Sequence, residues 1–281
     1  MRGCSGKVIE AMRYIKITSP ANQNIRDAIR IRDRHAKFRH SAFLIEGPHL
    51  VEAALNARVQ VKEVFATRAF IDKKEHRGLL VSVSKFTEVI FEVTDNVLLA
   101  ITDTETPQGI VAIAGYEPQK LETLVTGTVP FFVVLDGIQD PGNLGTIIRT
   151  ADAAGADAVI LLAGTCDAFI PKVIRATAGS IFNIPIVNAT SDDFLDWLRS
   201  HNIKLAVTAA DAQKTVFDAE LKKPIALVFG NEAHGVREAV RKAADMVLSI
   251  PVLGKAESLN VATSAAVCLY EAVRQRFYES N

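Results

Sequence analysis

LVFGNEAHGV (residues 227–236), a charged stretch, and LSIPVLGKAESLNVATSAAVCLYEAVRQR (248–276) decide the fold. The apolar run from Ile225 to Phe229, stopped by Gly230, reads as a buried strand ending in a tight turn. From Ser258 onward Ala262, Ala265, Ala266, Leu269 and Val273 recur at helical spacing, and Ser258 is the expected cap. Between the two, Ile250-Pro251 forces a loop, because proline has no N–H and restrains the residue before it. The same grammar runs upstream. FFVVLD (131–136), DAVILL (157–162), IPIV (184–187) and KLAVTAA (204–210) read as strands. TIIRTADAAG (146–155), AFIPKVIRATAGS (168–180) and DDFLDWLRSHN (192–202) read as the helices between them. Apolar strands alternating with helices imply a mostly parallel sheet covered on both faces.

Further towards the N-terminus a smaller α/β series is expected. Residues 24–40 read as one basic helix, with Ile25, Ile29, Ile31 and Phe38 as its apolar positions. AFLIEG (42–47) and VKEVFA (61–66) are strands, Pro48 opens a helix, and Ile110 to Ala114 is a plausible last strand. YEPQKLETLVTGTV (116–129) loses the periodicity and holds Pro118 and Gly127, so it is the expected linker. The resulting division is 1–115, a linker 116–129, and 130–281. Residues before Met12 look like an upstream start or a flexible tail.

Composition sets the broad class. The chain has 281 residues, 49% of them apolar and 23% charged, which suits an ordinary globular protein with a sizeable core. Lysine and arginine number 32, as do aspartate and glutamate, so a wholly electrostatic nucleic-acid binder is disfavoured. Charge is nonetheless uneven. Residues 24–40 carry six basic side chains against two acidic ones. Cys4, Cys166 and Cys268 are isolated, so neither a disulfide framework nor a zinc site is indicated, and a reducing cytoplasm is the default. No metal is called for. No apolar stretch is long enough to span a bilayer.

Three loops follow apolar elements and could carry chemistry. The first, DGIQDPGNLG (136–145), leads to Arg149, with Asn143 expected to cap the following helix. Its glycines have the wrong spacing for a dinucleotide fingerprint, and no Gly-Lys-Ser/Thr is present, so a nucleotide-dependent oxidoreductase and a P-loop enzyme are both disfavoured. The second, Gly230 to Gly235, sets an amide and a carboxylate at a strand end. His234 within it is a conceivable general base, against the plainer alternative of a solvated helix start. The third contributes Ile250, Gly254, Ser258, Leu259 and Asn260.

Taken together the motifs Asn143-x-Gly145-x-x-x-Arg149, FGNE (229–232) and IP…G…ESLN (250–260) resemble the SpoU-type (TrmH-like) branch of the SPOUT RNA methyltransferases. The match spans residues 131–276 in the right order, and the segment from Arg30 to Ala66, with FLIEGPHLVEAAL (43–55) in it, is similar to the substrate-binding domain that many members carry in front. One departure is Ala233, where the family usually has glycine; a methyl there would restrict positive φ. The resemblance implies an α/β fold: a parallel-sheet domain with a deep trefoil knot, preceded by a smaller L30e-like α/β domain. It implies S-adenosyl-L-methionine bound by Thr208, Ala209, Gly230, Ile250 and Leu259. Arg149 would be the catalytic arginine, oriented by Asn143, with Glu232, Ser258 and Asn260 completing a polar wall. A guanidinium is a poor base, so Arg149 is expected to grip phosphate and stabilise the emerging oxyanion. The implied reaction is 2′-O-methylation of RNA by a cytoplasmic homodimer. Ribosomal RNA is favoured over transfer RNA by the front domain, and Arg30, Arg32, Arg34, Lys37 and Arg39 are the expected first RNA contacts. A transfer-RNA methyltransferase, or a non-catalytic RNA-binding assembly factor on the same fold, are the alternatives.

Overall fold

The computed structural model of the chain describes residues 12–38, 40–124 and 127–278. The expected N-terminal tail before Met12, and Arg39 among the candidate RNA contacts, lie outside the described residues. Two compact units are present: residues up to Glu117 together with Phe169–Phe182, and Pro118–Ala168 together with the chain from Asn183 onward.

The first unit runs β1 (Arg13–Ile17), α1 (Gln23–Arg32), β2 (Ala42–Glu46), α2 (Pro48–Asn56), β3 (Val61–Thr67), α3 (Arg68–Asp72), α4 (Arg77–Val83), β4 (Val89–Val93), α5 (Asp95–Ile101) and β5 (Ile110–Gly115). Its sheet has the order β1-β4-β3-β5-β2. β5 is antiparallel to both of its neighbours, and the other pairs are parallel. α1 buries Ile25, Ala28 and Ile31, one stripe at a spacing of three, against a core that includes Phe65, Val111 and Ile113.

The basic helix expected over 24–40 is shorter than its charge pattern suggests. It stops at Arg32, because Asp33 forms its C-cap and Arg34 turns into the left-handed region at φ 53°. A non-glycine residue held there needs compensation, and the Arg34 guanidinium donates to the Ala42 carbonyl at 2.7 Å.

The second unit continues with β6 (Phe131–Asp136), α6 (Pro141–Ala153) and β7 (Ala158–Leu162). α7 (Pro171–Ala176) follows, within the segment that clusters with the first unit. There Phe43 lies 5.1 Å from Phe169 and 6.2 Å from Phe182 between ring centroids, and Arg175 reaches Asp103 at 3.0 Å and Glu46 at 3.4 Å. Next come β8 (Ile186–Ala189), α8 (Ser191–Ser200), β9 (Lys204–Thr208), the two-residue β10 (Lys214–Thr215), β11 (Ile225–Gly230), α9 (Glu238–Lys242), β12 (Met246–Ser249) and α10 (Val261–Val273). Seven strands in the order β10-β12-β9-β11-β6-β7-β8 form one sheet, and every pair is parallel. All six residues of β6 are buried, as its unbroken apolar run requires. Within the expected linker 116–129, Leu121 is buried in a short 3₁₀ turn and Gln119 forms a bridge with Val187.

Two helix starts differ from the sequence expectation. α6 begins at Pro141, inside the DPGNLG stretch expected as loop, and Asp140 caps it by accepting from the Asn143 N–H at 2.8 Å. α10 is capped by Asn260, whose side-chain oxygen takes the Ala262 and Thr263 N–H groups, and not by Ser258. In both cases the first helical turn contains groups that sequence alone assigns to the loop.

Candidate functional site

Parallel strands deliver all their C-terminal ends to one edge, so the turns after β9, β11 and β12 meet there. Between them lies a cavity of about 320 Å³. Thr208, Ala209, Gly230, Ile250 and Leu259, the five expected cofactor residues, all line it, and so do Glu232, Ser258 and Asn260. Asn231 and Gly235 of the second loop line it as well, and sequence reasoning missed Ala210, Leu248, Val252, Val261 and Ser264, which line it too. Most of these are small or apolar residues beside motif positions, so a motif search passes over them. Leu248, Ile250, Val252 and Leu259 supply an apolar side, while Glu232, Ser258 and Asn260 supply hydrogen-bonding groups. The Ala209 N–H is taken by the Leu248 carbonyl at 2.9 Å, and the Thr208 hydroxyl donates to the Val228 carbonyl at 2.8 Å. Both bonds pin the first wall to its neighbouring strands.

The turn after β11 is exceptionally tight. A Cβ on Gly230 would stand 2.2 Å from the Gly235 carbonyl carbon and 2.2 Å from the Val236 nitrogen, so only glycine fits. Asn231 and Gly235 exchange backbone hydrogen bonds at 3.0 and 2.9 Å across the loop. The Asn231 side chain accepts from the N–H groups of Ala233 and His234 and donates to the Gly137 carbonyl at 2.8 Å. Gly235 takes the positive φ of 68°, and Ala233 is not among the positive-φ residues. The departure at Ala233 therefore carries no backbone strain. Below the loop, Asp136 is fully buried and receives both the Arg237 N–H at 2.8 Å and its guanidinium at 2.6 Å. This charge-assisted clamp fixes the far end of the loop to β6. His234 does not line this cavity.

Asn143 is the joint of the polar wall. Its amide donates to the Glu232 carboxylate at 2.9 Å, and its oxygen accepts from the Asn260 amide at 3.0 Å. Three motifs distant in sequence are thereby connected through one side chain. Asn143 makes no hydrogen bond to Arg149 of its own chain. Six helical residues rotate about 600°, which leaves the two side chains roughly 120° apart around α6. Arg149 is exposed, is not part of the cavity lining, and makes no hydrogen bond or ion pair among the described residues. Cys166, whose backbone N–H bonds to the Ile138 carbonyl, is no nucleophile. Burial and then the carboxylates of Asp140 and Asp167 push its thiol up to about 11, so it stays protonated at neutral pH.

The candidate RNA contacts divide into two kinds. Arg30 and Lys37 are exposed; Arg30 pairs with Asp27 at 3.2 Å and Lys37 lies 5.1 Å over the Phe38 ring. Arg32 instead donates to the carbonyls of Ala100 and Thr102 at 2.8 and 3.1 Å and pairs with Asp33, and Arg34 stacks 5.7 Å above Phe169 while holding Ala42. Those two guanidinium groups are committed to the unit's own structure.

Comparisons with known proteins agree with this geometry. Residues 130–270 match the SpoU rRNA Methylase family, and residues 22–112 match the MRM3-like substrate binding domain. The chain is 38% identical over 255 residues to the 23S rRNA (guanosine(2553)-2'-O)-methyltransferase RlmP of Bacillus subtilis, covering 91% of this chain and 98% of that one. It is 35% identical to RlmB of Haemophilus influenzae, a 23S rRNA (guanosine-2'-O-)-methyltransferase, over 83% of this chain and 97% of that one. Among solved structures, an AdoMet-bound rRNA methyltransferase from Sinorhizobium meliloti superposes with a TM-score of 0.83 at 32% identity, covering 94% of this chain and 98% of that one. The fold, the assembled motif loops and these relatives together place the chain in the SpoU rRNA methylase family, with an MRM3-like substrate-binding domain in front.

Proposed function

We propose that the protein transfers a methyl group from S-adenosyl-L-methionine to a ribose 2′-hydroxyl of 23S-type ribosomal RNA. The observation that carries this is the cavity in which the residues of the second and third motif loops converge, with Asn143 of the first tying Glu232 to Asn260 at its edge. The cavity suits the cofactor: its volume is within the range of small-molecule sites, and its wall is apolar on one side and hydrogen-bonding on the other. Thr208, Ala209, Gly230, Ile250 and Leu259 would hold it. When bound, the cofactor supplies an activated methyl sulfonium, so no further electrophile is needed.

What remains for the chain is to position the acceptor and to manage its proton and charge. A ribose hydroxyl is a weak nucleophile until its proton is leaving. Glu232, Ser258 and Asn260 offer acceptors and donors beside the cavity, with Asn143 holding two of them in register. Arg149 stabilises the developing oxyanion and the adjacent phosphate. Its absence from the lining of its own cavity favours delivery across a homodimer, in which α6 of one protomer faces the cavity of the other. Tyr270 on α10, together with Phe277 and Tyr278 beyond it, is exposed, and α10 packs on α6, which gives such a dimer an apolar surface to bury. Light scattering on the full chain at micromolar concentration is expected to give twice the monomer mass; a monomer would remove the route proposed for Arg149.

The trefoil knot belongs to the same proposal. Support comes from β12, which lies inside the sheet between β9 and β10, and from the chain's return through α10 onto α6. A cytoplasmic location follows from the ribosomal substrate. The deciding experiment incubates the protein with labelled S-adenosyl-L-methionine and 23S rRNA from cells lacking it, then maps ribose methylation. One methylated nucleotide is expected. Cofactor binding without transfer to ribosomal RNA, but with transfer to transfer RNA, would favour the other substrate; no transfer to either would leave an RNA-binding factor.

A further inference from the structure

The loop from Gly230 to Val236 has a second face. On that side lies another cavity, of about 410 Å³, which shares Asn231 and Gly235 with the first. None of the side chains peculiar to it has a role in the methyl transfer described above. We infer that this cavity receives a nucleobase of the substrate RNA that neighbours the acceptor nucleotide in sequence. The inference rests on the methyltransferase proposal and adds to it a subsite for the strand.

Its lining argues against a phosphate. Arg237 is committed to Asp136, and Arg241 makes two hydrogen bonds to Asp211 at 2.9 and 2.8 Å. With Glu238 also present, the cations of the wall are balanced by carboxylates. Such a wall has little to attract an anion but is rich in groups for a neutral polar ligand. Two side chains stand uncommitted: Gln139 and His234 make no side-chain hydrogen bond among the described residues. An amide offers both a donor and an acceptor, which is what the edge of a base requires, and an imidazole ring offers a stacking face.

Shape agrees with a flat ligand. Gly137 and Gly164 line the cavity at φ values of 77° and 87°, and a Cβ on Gly164 would already touch the Gly137 Cα at 3.6 Å. That part of the wall is bare backbone, smooth enough for a ring to lie against. The two cavities share Asn231 and Gly235 of the loop, so a strand with adjacent bases splayed apart could place its acceptor ribose at the first and a neighbouring base in the second. Single-stranded RNA is commonly recognised through bases unstacked in this way.

The test uses the full-length protein and a short RNA spanning the mapped nucleotide, with single abasic substitutions at each flanking position. RNA affinity by filter binding and methylation kinetics are measured for wild type, Gln139→Ala and His234→Ala, with cofactor affinity by calorimetry as the control for folding. One abasic position is expected to weaken wild-type binding about tenfold, the scale of a lost stacked base. Each variant is expected to weaken binding of intact RNA and raise its KM, keep cofactor affinity, and lose most of the penalty at that same position. Variants that bind intact RNA as wild type does, or that retain the full abasic penalty, would overturn the inference while leaving the methyltransferase proposal standing. A wild-type protein that transfers no methyl group defeats the proposal itself.

Discussion

At the scale of single residues, the site depends on one glycine and one joint. Gly230→Ala puts a methyl into the Gly235–Val236 backbone, which no rotamer change can relieve. The loop must move, so cofactor affinity is expected to fall at least tenfold in calorimetry, with a lower melting temperature; unchanged affinity would show that the loop shifts freely. Arg149→Ala is the converse case. Its exposed side chain makes no hydrogen bond or ion pair among the described residues, so fold and cofactor affinity are expected to stay intact while kcat drops by about 10²–10³-fold, the usual value of an oxyanion-stabilising group. Single-turnover methyl transfer checks this, and a variant that loses cofactor binding as well would contradict the division of labour.

At the scale of elements, α1 shows how a run of charge can mislead. Its arginines share a composition but not a role. Arg32 closes on the Ala100 and Thr102 carbonyls, so Arg32→Ala is expected to lower unfolding free energy by about 1–2 kcal/mol, the cost of losing charge-assisted hydrogen bonds. Arg30→Ala and Lys37→Ala remove exposed charges and are expected to leave stability within about 0.5 kcal/mol. If α1 and the turn after it contact RNA, it is the latter pair that should flatten the salt dependence, by roughly one unit of slope per lost phosphate contact. Denaturant unfolding and filter binding across a salt series separate the two classes. A large change of slope in Arg32→Ala with no loss of stability would reverse the assignment.

For the molecule as a whole, the second unit is closed by the end of its last helix. α10 runs into a π turn (Arg274–Tyr278), where buried Gln275 bonds to the Leu221 N–H at 2.8 Å and to the Ala219 carbonyl at 2.9 Å. Arg276 caps the carbonyls of Leu221 and Lys223 and lies 4.7 Å over Phe131. Glu271 anchors this network, accepting from Arg274 and Gln275 at 2.8 and 2.7 Å. The hydrogen bond from Arg274 holds its carboxyl below the ordinary glutamate range, against the opposing effect of burial. A carboxyl lowered by folding stabilises the folded state above its unfolded pKa of about 4.3, and that contribution fades as pH falls through the folded value. Glu271→Gln is therefore expected to be less stable than wild type at pH 7 and to converge with it towards pH 3, as read from denaturant midpoints. A gap that stays constant with pH would place the effect in packing.

The sequence by itself determined the alternation of apolar strands and helices and the strand-end position of the motifs, and the five residues that its family resemblance pointed to all line one cavity. The first two are local properties: a buried parallel strand needs an unbroken apolar run, and a tight turn needs glycine. It could not reveal that Asn143 faces Glu232 and Asn260 and not Arg149, because those partners lie 89 and 117 residues away. Nor could it show where α1 stops, since Arg34 is held by the Ala42 carbonyl on the next strand. The order of the strands, the clustering of Phe169–Phe182 with the first unit and the second cavity behind Asn231 were decided only by the tertiary structure, since each depends on which surfaces meet once the chain has packed.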